Sequence, residues 1–309
     1  MEMRAILSQA LDAAMQINPR IVVVDADLAR ANGTLALRSK YPDRAFDVGV
    51  AEQNMASVAA GLSSHGFIPF IGSFSTFASR RICDQVAISI AYARRPVKII
   101  GTDPGLSAEL NGGTHMGLED IAVLRSTPTM VIVEPSDGVQ LAQAIPQIID
   151  YDGPVYLRLH RKETPDIYGA DYRFDLFKAD VVKSGSDVTI VAAGVVMMQQ
   201  ALKAVALLAQ KGIEAELIDM HTIKPVDVDT LVASAQKTRA VVTAENHNII
   251  GGLASAVSEA LAQHLPTPVC PVGVRDRFGE VGKLGPLLEA FHMTAEDIAE
   301  AAEEIIKHK

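Results

Sequence analysis

Short runs that are apolar on both faces recur along the chain. Longer stretches separate them, in which apolar residues return every three or four positions. The runs are Ile21–Val24, Lys98–Ile100, Met130–Val133 and Val155–Leu159, then Val188–Val191, Ala215–Ile218, Ala240–Thr243 and Val269–Val274. A strand covered on both sides has no polar face, so such runs predict parallel strands between layers of helix. The intervening stretches have the helical period to provide those layers. Ala51, Met55, Val58, Ala59 and Leu62 form one apolar stripe, and Leu202, Val205, Ala206 and Ala209 another. The pattern predicts an α/β protein of two domains, each a mostly parallel sheet with helices on both faces. Between the two series, Lys162 to Asp166 and Gly169 to Asp187 are polar and rich in turn formers. The expected organisation is therefore a first domain over 1–165, a linker over 166–186 and a second domain over 187–309. Thr294, followed by Glu296 and Asp297 and by lysines at the far end, predicts a closing helix whose charges complement its dipole.

Composition narrows the class of partner. The 309 residues suffice for a large core, and the net charge of -9 argues against a nucleic-acid binder, which needs a basic face. Two cysteines far apart, Cys83 and Cys270, make neither a disulfide framework nor a zinc motif. No apolar run reaches the ~18–20 residues of a membrane span, and the N-terminus does not read as a signal peptide. A soluble, cytoplasmic protein is expected.

Four segments carry candidate chemistry. Asn111-Gly112-Gly113-Thr114-His115 is a flexible polar loop between a strand and a helix, where α/β proteins bind ligands, so His115 is either a ligand contact or a structural histidine. Glu52 opens a helix in Gly49-Val50-Ala51-Glu52-Gln53-Asn54; helix-dipole complementarity alone would account for it. Phe74 and Phe77 stand three apart in a chain with 5% aromatic residues, and could line a pocket or simply fill a core. Gly251-Gly252 and Asn246-His247-Asn248 follow a strand and could approach an anion, although neither has the spacing of a phosphate-binding motif. No metal-ligand spacing and no nucleophile–base set is visible, so metal ligands on this chain are expected to be none.

Taken in order, Asp25-Ala26-Asp27-Leu28, Gly49-Val50-Ala51-Glu52-Gln53-Asn54, Phe74-Ser75-Thr76-Phe77, Gly112-Gly113-Thr114-His115, Pro135-Ser136-Asp137 and Ile218-Asp219-Met220-His221-Thr222-Ile223-Lys224-Pro225 resemble the C-terminal half of transketolase. The resemblance runs from Arg4 to the end of the chain and covers the family's pyrimidine-binding and C-terminal domains. The Gly-Asp-Gly…Asn motif of the diphosphate-binding domain is absent. The resemblance therefore implies one subunit of a split transketolase. A partner chain would supply the diphosphate and Mg ligands of thiamine diphosphate. Assembly would be a heterotetramer, with contact between copies of this chain about a two-fold and no nucleic acid or membrane partner.

It also implies roles. Glu52 looks like the glutamate that hydrogen-bonds N1′ of the aminopyrimidine and so favours the imino form that deprotonates C2 of the thiazolium. Such a glutamate must carry a proton, which burial beside an apolar ring favours and a helix N-terminus opposes. Phe74 and Phe77 resemble the aromatic pocket for the pyrimidine, with Val50 a smaller packing partner and Asp27 beside the cofactor. His115 resembles a catalytic histidine near the substrate's first hydroxyls. Arg4 and Arg161 match positions that hold the sugar phosphate, and Arg158 is a weaker neighbour.

Departures concentrate where the sugar is read. Asn111 replaces an aspartate that touches a substrate hydroxyl, Asp103 a histidine, Ala31 a phosphate-binding serine and Arg80 a frequent tyrosine. The expected function is two-carbon ketol transfer from a ketose phosphate to an aldose phosphate, on a non-standard or branched sugar. Two alternatives remain at this point: the β subunit of a thiamine-dependent 2-oxo-acid dehydrogenase, and a non-catalytic partner of a thiamine enzyme.

Overall fold

A computed structural model describes residues 1–309. Its strands are β1 (Ile21–Asp25), β2 (Ala45–Asp47), β3 (Ile68–Phe74), β4 (Lys98–Thr102), β5 (Val131–Val133), β6 (Val155–Leu159), β7 (Asp180–Lys183), β8 (Val188–Ala192), β9 (Ala215–Asp219), β10 (Thr222–Lys224), β11 (Val241–Asn248) and β12 (Val269–Val274). They form two sheets, ordered β10-β5-β6-β4-β3-β1-β2 and β12-β11-β8-β9-β7. All pairings are parallel except β10 with β5 and β7 with β9. Strands β1, β4, β5, β6, β8 and β9 are buried at every position, as their two-sided apolar runs require. The expected pair of mostly parallel α/β sheets is what the chain adopts.

Two features lie outside the expected segmentation. Strand β7 falls within 166–186, the segment read as linker, and edges the second sheet. Strand β10, from the second half of the chain, leaves its own sheet and pairs with β5 of the first, Thr222 opposite Val133. One apolar cluster accordingly mixes Ile71, Ile99 and Ile132 with Ile218, Leu231 and Val257. The closing helix spans Ala295–Ile306, and Thr294 and Asp297 form a reciprocal capping box at its start. No helix is long and apolar enough to cross a membrane.

In the first sheet the loops leaving the carboxyl ends of the strands carry the candidate chemistry. Asp27 follows β1, Glu52 follows β2, Phe74 ends β3, Asp103 follows β4 and Arg161 follows β6. A parallel sheet collects such loops along one edge, which is where open α/β folds bind ligands.

Candidate active site

Glu52 is the first residue of the helix Glu52–Ser64 and is 4% exposed. The preceding Ala51 provides no side-chain cap, so a carboxylate here complements the free N–H groups of the first turn. Arg81 Nη1 lies 2.9 Å from Glu52 Oε1, and Ser73 Oγ donates to the same oxygen at 3.5 Å. Both contacts fall on Oε1, which leaves Oε2 for another donor.

Arg81 also joins this carboxylate to the aromatic wall. Its guanidinium carbon sits 3.8 Å from the centroid of the Phe77 ring, a cation–π contact. The rings of Phe74 and Phe77 are 6.2 Å apart and tilted by 58°. His115 meets both edge-on, at 5.8 Å from Phe74 and 5.3 Å from Phe77. All three rings are only half-buried, so this is an open aromatic wall and not core packing.

The arginines stand at the other end of that wall. Arg161 lies 5.5 Å from the Phe74 centroid, and its Nη2 is 2.6 Å from Asp103 Oδ2. Burial pushes the Asp103 carboxyl above its usual range, while the charge and hydrogen bond of Arg161 pull it back. The backbone N–H of Arg4 donates to the carbonyl of Arg161 at 3.2 Å, which brings the two arginines together. Arg4 is itself tied to Glu2 at 2.7 Å.

Contacts thus run from Arg4 through Arg161, which also holds Asp103, to Phe74, His115, Phe77, Arg81 and Glu52. Asn111 is exposed at the end of the segment Gly105–Asn111, just before the Gly112-Gly113 turn. Val50, two residues before Glu52, is 75% exposed. Asp27 is exposed; its N–H donates to Asp47 Oδ1 at 3.0 Å, and Gly49 N–H donates to the same oxygen at 2.7 Å.

Sequence reasoning missed Arg81 and Asp47. Arg81 stands four residues after Phe77, a spacing that could have suggested a contact. Asp47 pins the exit of β1 to the turn before Glu52, and only the sheet order brings these together. Two other readings need correction. Arg158 is fully buried and bound to Asp120, Glu134, Gly117 and Asn246, so it does not face a sugar phosphate. Asn246 and His247 are also buried, at 2% and 0% exposure, and offer no surface anion site.

A coenzyme fit can be judged from these groups. Half-exposed ring faces next to a buried carboxylate with one unengaged oxygen suit a flat, nitrogen-bearing aromatic ring. No group of three or more His, Cys, Asp or Glu is arranged to hold a metal ion. The arrangement fits the ring half of thiamine diphosphate and provides no ligands for the metal that accompanies its diphosphate.

Two mostly parallel α/β sheets, linked by the pairing of β10 with β5, thus carry an aromatic wall beside a buried helix-start glutamate. The profile described as "Transketolase, pyrimidine binding domain" matches residues 1–166, and that of "Transketolase, C-terminal domain" matches 177–298. The chain belongs to the transketolase family and constitutes a C-terminal-half subunit. It is 51% identical over 294 residues to the 6-deoxy-6-sulfo-D-fructose transketolase subunit SqwH of Clostridium sp. (strain MSTE9), covering 95% of this chain and 91% of that one. It is 36% identical over 289 residues to a subunit of the apulose-4-phosphate transketolase of Phocaeicola vulgatus, covering 93% and 92%. A solved structure described as "Split gene transketolase, inactive beta4 tetramer" superposes with a TM-score of 0.90 at 41% identity, covering 99% of this chain and 98% of that one. These relatives favour ketol transfer by a two-chain transketolase over an oxo-acid dehydrogenase subunit. The family depends on thiamine diphosphate.

Proposed function

We propose that this chain supplies the pyrimidine-side wall of a two-chain transketolase, whose sites are completed by a partner carrying the diphosphate and Mg ligands. Residues 1–165 then serve as the pyrimidine-binding unit and 187–309 as the C-terminal unit. The contiguity of Glu52, Arg81, Phe77, His115 and Phe74 along one half-exposed wall carries the proposal. Thiamine diphosphate, when bound, would supply a carbon nucleophile for the ketose carbonyl. Glu52 Oε2 would hold the ring nitrogen N1′, with Arg81 fixing the carboxylate through Oε1. Phe74 and Phe77 would provide the aromatic wall for the pyrimidine and keep water from it, with Val50 a smaller packing partner and Asp27 at the cofactor's margin. His115 donates to the substrate oxygen that gains charge during ketol transfer and exchanges a proton there.

Arg4 and Arg161 hold the anionic end of the sugar, and Asn111 and Asp103 read its hydroxyls. The departures at Asn111, Asp103 and Ala31 support a ketose outside the standard set. So do the substrates in the names of the sulfofructose and apulose-4-phosphate relatives, whose far ends carry a sulfonate or a phosphate. Three exposed apolar residues support a partner surface: Val50 on the turn before the Glu52 helix, and Ile88 and Tyr92 on the element packed against that helix. The same reading makes the assembly a cytoplasmic heterotetramer. Its test is co-expression with the candidate partner chain, followed by assay of ketol transfer against a panel of ketoses ending in phosphate or sulfonate, with thiamine diphosphate and Mg. Transfer from at least one of them by the pair, and by neither chain alone, is expected; no transfer from any would sink it.

A further inference from the structure

The loop that carries His115 has a second set of contacts, most of them to the second domain. The segment leaves β4 at Asp103 and reaches the helix Asp120–Arg125 after Leu118 and Glu119. At its entrance the amide of Asn246 engages two backbone groups at once. Asn246 Nδ2 donates to the carbonyl of Pro104 at 2.9 Å, and Asn246 Oδ1 accepts from the N–H of Leu106 at 2.8 Å. Between them Gly105 has φ +56, and a side-chain carbon there would collide with the carbonyl of Asn246. Only glycine lets the two backbones approach this closely.

Midway, Glu109 Oε1 accepts from the N–H of Leu284 at 3.0 Å, and Gly113 packs against the backbone of Gly279. At the exit the guanidinium of Arg158 donates from Nη2 both to the carbonyl of Gly117, at 3.1 Å, and to that of Asn246, at 2.8 Å. The N–H of Asn248 then donates to the carbonyl of Leu118 at 2.9 Å. Residues 246–248, at the end of β11, therefore hold both ends of the loop, with His115 between the two anchor points.

We infer that Asn246 is a positioning residue for His115, and that the second domain takes part in ketol transfer by fixing the geometry of this loop. Three features support a positioning role. An asparagine amide has one donor and one acceptor side, and here each meets the backbone group of matching polarity. Asn246 is 2% exposed, so the clamp works without competition from water. His115 itself is only half-buried, and its side chain hydrogen-bonds within the chain to Thr114, its own neighbour in sequence, whose Oγ1 is 2.9 Å from Nδ1. A bond that moves with the loop cannot hold the loop in place, so beyond its edge contacts with Phe74 and Phe77 the ring takes its position from the backbone. The inference rests on the proposed role of His115.

The test uses the two-chain complex and a double-mutant cycle. Asn246→Ala removes both clamp bonds, and Asn246→Asp keeps the acceptor for Leu106 while setting a second acceptor against Pro104. Each is expected to lower kcat about tenfold or more, since misplacing a catalytic group by about 1 Å can cost ~100-fold. KM for the ketose should move far less. In a His115→Ala background the same substitutions should lower kcat less than about twofold, because the group they position is gone. Without coenzyme, hydrogen exchange at the amides of Gly112 and His115 should speed up in both variants. Full multiplication of the two effects on kcat would overturn the inference while leaving the role of His115 intact, as would unchanged exchange. An unaltered kcat in His115→Ala alone would remove the reading of the site, and this inference with it. Failure of both Asn246 variants to fold would make the residue a folding element and overturn the inference as well.

Discussion

Two polar regions flank the loop of residues 103–118, and they differ in how far their bonds are satisfied. On one side lies the aromatic wall, with Glu52 and the three half-buried rings of Phe74, Phe77 and His115. Its carboxylate has an unengaged oxygen and its imidazole touches mainly aromatic edges. On the other lies a belt between the domains, centred on Arg158, which is fully buried and makes five hydrogen bonds to Asp120, Glu134, Gly117 and Asn246. Burial opposes ionisation of Asp120, yet the charge of Arg158 wins and holds its carboxyl below the usual range. At Glu134 burial outweighs the same arginine, and the carboxyl is pushed up. A saturated network fixes structure, whereas an unsaturated one has groups left over for a ligand.

The comparison can be broken most sharply at its two centres. Glu52→Ala in the assembled enzyme should lower kcat by ~10²–10⁴, the usual contribution of acid–base chemistry, with little change in thermal midpoint. The fold should survive because the arginine left behind, Arg81, has a side chain 44% exposed and can turn to water. Full ketol transfer by that variant would remove the glutamate from the chemistry. Arg158→Met should strike stability first. It strands Asp120 and Glu134 without their buried counter-charge, which costs about 3–5 kcal/mol in denaturant unfolding. An unfolding midpoint equal to wild type would show that the belt is not structural.

Smaller effects sharpen the contrast. Arg161→Ala should raise KM for the ketose about tenfold or more, the value of one charge-assisted hydrogen bond, and change kcat less. Asn111→Asp should shift preference among ketoses and leave coenzyme affinity alone; kinetics identical across a substrate panel would refute its role in sugar reading. The last prediction concerns Asp219, another buried carboxyl between the domains, bound by Ser136, Gln140 and Tyr168. Burial pushes it from 3.8 up to about 7. The folded chain then binds more protons than the unfolded one between those values, so this group lowers stability as pH rises from about 4 to about 7. Asp219→Asn should therefore gain midpoint temperature over wild type across that window, by a few degrees, and hold the gain above it. A difference independent of pH would contradict the assignment.

The architecture was legible because eight of the twelve strands carry runs apolar on both faces, a pattern that covered parallel strands require. Strand β3 escaped the pattern because Pro69 and Gly72 interrupt it, and β2, β7 and β10 because three or four residues carry no period. In the candidate site, Glu52, Phe74, Phe77 and His115 were singled out by the order of motifs that resembles transketolase, since residue type alone gave each an ordinary structural explanation. Arg81 and Asp47 were not, since their importance lies in what they touch across the sheet edge. Arg158 shows the opposite failure: an arginine at the end of a strand reads as a ligand for anions until its burial is known.

Strand β10 has one more consequence. It seals the open flank of the first sheet by antiparallel pairing with β5. Cutting the polypeptide between the two profile-matched units would bare a row of unpaired amides and carbonyls on β5, a template for sticking to other molecules. The two halves should therefore be expressed as one piece, and a truncated first half is expected to clump unless that short ribbon is grafted back.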